Sequence, residues 1–191
     1  MSENLRSFIT GASILRSVAN RVPDGSWDRE SCCAGWNARQ VAGHITHGLA
    51  TVAALAAGDP PPAEQPESEQ PESDLAGDDP AATVTEAVDR AIEALDHPDS
   101  LDRPTPMGPM NVDQFLAVMG VDTLTHAWDI ANATGIDHGI DAASAERALA
   151  VLEPMADRLR GPGRFDDAVE TDSDDPLDRL VAFTGRRRVG D

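Results

Sequence analysis

Lysine and tyrosine are both absent from this chain of 191 residues. Without lysine there can be no Schiff base, no lysine-anchored pyridoxal phosphate and no phosphate-loop lysine. Without tyrosine, a general acid or base has to be His, Asp, Glu, Cys or metal-bound water. Cysteine is confined to the adjacent pair Cys32 and Cys33. Neighbouring cysteines close a disulfide only with strained geometry, so no disulfide framework is expected. No run approaches the roughly 18 apolar residues of a membrane span, and the amino terminus lacks the basic-then-apolar order of a signal peptide. The chain is therefore read as cytoplasmic, with no membrane partner. Positive charge is scarce as well. The 15 basic residues, all arginine, face 34 acidic ones, for a formal charge of -19; a phosphate backbone would be repelled, which argues against nucleic acid.

What is present is helical periodicity. The length suits one domain, 1–191. Leu5, Phe8, Ile9, Ala12, Leu15, Ala19 and Val22 fall at helical spacing before Pro23, Asp24 and Gly25. A second helix is expected from Asn37, capped with Gln40 three residues on, to Gly58. Residues 58–80 are acidic and proline-rich, with a tandem EQPES at Glu64 to Ser73, and read as a solvated loop. A third helix is expected from about Ala81 to Leu95, with Thr83 and Glu86 as its capping box. A fourth runs from Val112 to Thr134 behind Asn111 and Gln114. Asp141 to Leu152 reads as a shorter fifth, and a last apolar cluster sits at Leu177, Leu180, Val181 and Phe183. Phe165 to Val169 offers one weak strand signal. The expected architecture is all-α: a four-helix bundle with a short carboxy-terminal helical extension.

The fourth helix carries the chemistry. At 100° per residue, Met119, Asp122, His126, Ile130 and Ala133 lie within about 60° of Phe115, so a carboxylate and an imidazole sit in the middle of an apolar stripe. Buried without a partner, either would be costly. On the second helix His44 lies about 60° from Val41 and His47 about 120°, which makes His44 the inward candidate and His47 a rim residue. Two imidazoles and a carboxylate suit Zn, and also Ni, Mn or Fe, with coordination positions left open. A buried Asp122–His126 salt bridge beside a core His44 is an equally open reading of the same spacing.

GWNARQVAGH at Gly35 to His44 and DTLTHAWDIANATG at Asp122 to Gly135 resemble the two signatures of the DinB-like superfamily, of the mycothiol-dependent maleylpyruvate isomerase type. GRFDDAV at Gly163 to Val169 and DPLDRLVAFTGR at Asp175 to Arg186 extend the likeness into the tail. The resemblance implies a DinB-like four-helix bundle holding one divalent metal on His44, Asp122 and His126, with Asp122 standing where the isomerase carries the longer Glu. It also implies a low-molecular-weight thiol cofactor of the mycothiol type and an electrophilic small-molecule substrate, handled by S-transfer or thiol-assisted isomerisation. The other reading is a metal-binding module without turnover, as a monomer or homodimer.

Other residues have a functional and a plain reading. Trp36 and Trp128 either line the mouth of the site or fill the core. Asp129 either orients a histidine or pairs with an arginine. Cys33 is read as packed rather than nucleophilic, and Arg186 to Arg188 as a solvated tail.

Overall fold

A computed structural model describes residues 1–33, 35–63, 75–158, 160 and 165–187. Six helices and no strands occur among them: α1 Glu3–Ala19, α2 Ala38–Ala57, α3 Pro80–Leu95, α4 Val112–Thr134, α5 Ala142–Leu152 and α6 Pro176–Phe183. None is long and apolar enough to cross a membrane. The tandem EQPES segment lies outside the described residues.

Helices α2 and α4 begin with the same device. Asn37 and Asn111 each accept from the backbone N–H of the glutamine three residues on, 2.9 Å in both cases. Gln40 and Gln114 return the bond to the asparagine N–H at 3.0 Å. Each box satisfies two of the orphan donors of a helix start and so fixes the first turn. Helix α3 is capped differently from the expectation. Asp79, not Thr83, accepts from Ala82 N–H, and Pro80 opens the helix, because a proline there loses no hydrogen bond and arrives with helical φ. Phe165 to Val169 is not a strand; it makes an isolated bridge at Phe165 and a backbone bond from Val169 N–H to the Ala182 carbonyl.

The first four helices form a ring in which α1 neighbours α4 and α3, and α2 neighbours the same two. Direction follows from the contacts. Ser2 and Asn4 bond Asp113, while Gly11 meets Thr123, so α1 and α4 run parallel. That pair is close because neither crossing residue has a side chain: a Cβ on Gly11 would lie 2.9 Å from the Gly120 carbonyl, and one on Gly120 3.2 Å from Phe8 N. Arg16–Asp89 and Asn20–Thr85 set α3 antiparallel to α1. Arg39 bonds the Gly77 carbonyl near the starts of α2 and α3, and Arg103, just past α3, bonds the Ala56 carbonyl at the end of α2. Helices α2 and α3 therefore also run parallel. Their connection has to return the length of α2, about 30 Å at 1.5 Å per residue, which accounts for a long segment between them.

Two apolar clusters flank α4. The larger fills the ring with Phe8, Leu15, Ile45, Leu49, Val84, Leu116 and Ile130; the smaller joins Val121, Leu124 and Trp128 to Leu149 and Leu152 of α5 and Leu177 and Leu180 of α6. Most of α4 is consequently buried. The single stripe centred on Phe115 describes only its inner face, and Trp128 belongs to the outer one, away from the histidines.

Candidate metal centre

From the fixed starts of α2 and α4, His44 lies seven residues on, Asp122 eleven and His126 fifteen. Those steps are close to two, three and four turns of 3.6 residues, so Asp122 and His126 share one face of α4, and that face meets His44 across the seam with α2. One donor atom from each lies within 4.8 Å of the others. The His44 and His126 rings meet edge-on with centroids 5.0 Å apart, and Trp36 leans on the other side of His44 at 4.9 Å. Gly48, one turn beyond His44, leaves room opposite; a Cβ there would sit 2.8 Å from Met119 Cε and 3.9 Å from an Asp122 oxygen. His126 is 6% exposed and Asp122 27%, so the group opens on the Asp122 side. His47 is half-buried and outside this group.

The protonation pattern follows from the neighbours. Burial, aided by the cationic character of His126, lowers His44 to about 4 and keeps it a neutral lone-pair donor. For Asp122, burial pushes upward but the His126 imidazole pulls harder, and the net direction is down. His126 moves well up despite burial, since Asp122 and Asp129 both favour its charged form.

The other nitrogen of His126 is the more constrained. Nδ1 lies 2.8 Å from Asp129 Oδ2. Asp129 is wholly buried and ionised, so it accepts, which places the Nδ1 proton on His126 and leaves Nε2 facing Asp122 at 3.3 Å. Asp129 receives four further contacts: Arg186 Nε at 2.6 Å and Nη2 at 2.8 Å, Cys32 Sγ at 2.9 Å and Cys33 Sγ at 3.1 Å. Buried and beside that carboxylate, both thiols are shifted upward and stay protonated; both cysteines are free.

Arg186 is the residue the sequence misplaced. Read as part of a solvated tail, its side chain is 8% exposed in an ion pair with Asp129. The local cause is the end of α6. Gly185 N–H bonds Ala182 O and Arg186 N–H bonds Val181 O, the paired closure of a Schellman turn. Gly185 has φ 77°, and a Cβ there would lie 2.7 Å from Asp166 Cβ, so only glycine turns the chain back toward α4. The preceding apolar α6 and Gly185 were the available signal; nothing in the run Arg186 to Arg188 distinguishes its first member. Cys32 was missed for a similar reason, because its partner is remote in sequence.

Cys33, His126 and Asp129 also bring donor atoms within 4.8 Å. That second group already holds a cation. Arg186 Nη2 is 3.4 Å from Cys33 Sγ, and two unit charges about 4 Å apart repel by about 4 kcal/mol at the effective dielectric of such sites. A divalent ion would face about twice that.

Residues 10–131 match the family described as the mycothiol maleylpyruvate isomerase N-terminal domain. The chain belongs to that family. The matched segment contains His44, Asp122, His126 and Asp129; Arg186 lies beyond it. Two uncharacterized proteins of Mycobacterium tuberculosis, from strains CDC 1551 / Oshkosh and ATCC 25618 / H37Rv, are each 38% identical over 84 residues, covering 42% of this chain and 46% of theirs. The chain thus spans about half the length of the curated relatives it matches. No solved structure matches it significantly.

Proposed function

We propose that this chain holds one divalent cation on His44, Asp122 and His126, with Zn first among Zn, Ni, Mn and Fe, and uses it to bind a low-molecular-weight thiol of the mycothiol type for S-transfer or thiol-assisted isomerisation of an electrophilic small molecule. The observation that supports the metal is the convergence of three donor atoms on one seam, with the His126 imidazole already oriented from behind. The donor set fits: two nitrogens and one oxygen match the three-ligand open sites of zinc enzymes. A bound divalent cation would supply a lowered thiol pKa, making a thiolate available near neutral pH.

This chain's own residues do the rest. His44 offers a lone pair from α2, and His126 offers one from α4 once its Nε2 proton is displaced; Trp36 shields the His44 side, and the partly exposed Asp122 edge is the direction of approach. Family membership supports the thiol. The test is a titration of the Co(II)-substituted protein with mycothiol, coenzyme A and cysteine. New sulfur-to-cobalt absorption with one of them supports the reading; a spectrum indifferent to all three removes it. The second reading, an ion that only ties the seam, draws on the fact that the donors come from both α2 and α4. An indifferent cobalt spectrum together with a metal-raised Tm would select it.

A further inference from the structure

The ligands of the proposed centre all lie in the family-matched segment, yet the group behind them is closed by a residue from outside it. Asp129 stands three residues after His126 on α4, so its carboxylate reaches Nδ1, but a carboxylate alone can swing about its terminal torsion and present either oxygen or neither. The Arg186 fork removes that freedom. Its Nε takes Oδ1 at 2.6 Å and its Nη2 takes Oδ2 at 2.8 Å, and Oδ2 is the oxygen bonded to His126 Nδ1. The guanidinium is fixed in turn: Nη1 donates to the Thr184 carbonyl at 3.4 Å, and its Cζ lies over the Phe165 ring, 5.6 Å from the centroid. The chain is delivered there by the Gly185 turn.

We propose that Arg186 is a positioning residue for the metal centre: it locks Asp129, Asp129 locks the His126 ring, and Nε2 is thereby aimed at the opening it shares with Asp122 and His44. This rests on the metal reading above. It assigns the carboxy-terminal extension a part in the site of the bundle, through one planar, bidentate contact that a lysine could not reproduce. An arginine that merely fastened α6 to α4 would contribute to stability and leave metal affinity alone.

The experiment measures Zn(II) affinity by competition with a chromogenic chelator, and the Co(II) absorption spectrum, on the full tag-free chain. The variants are Arg186→Ala, Arg186→Lys and, as a remote control for lost stability, Val84→Ala in the α3 core. Arg186→Ala is expected to weaken Zn(II) by about 10- to 100-fold, the usual cost of losing a partner behind a ligating histidine. Arg186→Lys should fall between it and wild type, with cobalt bands displaced in both, while Val84→Ala lowers Tm and keeps wild-type affinity and bands. Should Arg186→Ala not fold, Arg186→Lys alone decides. Arginine variants that match wild type in affinity and spectrum, or a Val84→Ala loss equal to theirs, overturn the proposal. A wild-type protein that binds no Zn(II) brings down the metal reading itself, a different and distinguishable failure.

Discussion

The two ring nitrogens of His126 face two neighbourhoods built from similar residue types. Behind Nδ1, Asp129 meets Arg186, Cys32, Cys33 and the imidazole itself. A carboxylate has about four lone-pair sites, so this side is full. In front of Nε2, Asp122 is partly exposed and at 3.3 Å from the ring, and His44 is neutral and a ring's width away. Both groups satisfy a simple distance criterion for a metal. What separates them is the guanidinium: where a fixed cation already neutralises the carboxylate, a second is repelled; where none is present, the site is open to one.

That contrast can be broken at several points. The largest effect is expected in front. His126→Ala should reduce bound metal to background, whereas His47→Ala should retain it; equal losses, read by elemental analysis, would reassign the ligands. Behind the ring, Asp129→Asn leaves Arg186 buried without a counter-charge, and unfolding in denaturant should show a loss of about 3–5 kcal/mol. A change under 1 kcal/mol would mean that the pair is not formed in solution. Cys33→Ser should cost about 1 kcal/mol, as for one altered hydrogen bond, and leave metal affinity unchanged, since this side is closed to metal; a parallel loss of metal would make Cys33 a ligand.

The smallest expected effect is at Asp141, the cap of α5, whose carboxylate accepts from Ser144 N–H at 2.8 Å. That backbone bond holds its carboxyl below the usual aspartate range. A depressed folded value means stability that is complete above the unfolded value and lost as pH falls through the folded one. Asp141→Ala should therefore cost about 1 kcal/mol at neutral pH and progressively less in acid, where the two Tm values converge. A gap independent of pH would show that the cap acts through shape rather than charge.

The front of the site was legible because its geometry is local. Asp122 and His126 are one turn apart, His44 lies a fixed distance from a readable capping box, and helical period alone brings each to the seam. The ring of four helices followed from the same periodicity. The back was legible only at Asp129, whose two readings, orienting a histidine and pairing with an arginine, both hold; which arginine it meets was not. Asp129 and Arg186 are 57 residues apart, and an arginine heading a run of three carries no mark of burial. The outer face of α4 was hidden too, since Val121, Leu124 and Trp128 do not share the stripe of Phe115 and gain their partners only when α5 and α6 fold back. Nor does periodicity encode direction, so the parallel course of α2 and α3 came from the Arg39 and Arg103 contacts alone.

X-ray absorption at the metal edge of tag-free protein, without added thiol and with metal stoichiometry measured on the same sample, tests the central claim most directly. The account predicts one divalent ion per chain with nitrogen and oxygen neighbours only, at about 2.0–2.2 Å for Zn. A sulfur neighbour at about 2.3 Å would place the ion on the Cys33 side, and metal far below one equivalent would leave His126 with no more than its two carboxylates; either result contradicts it.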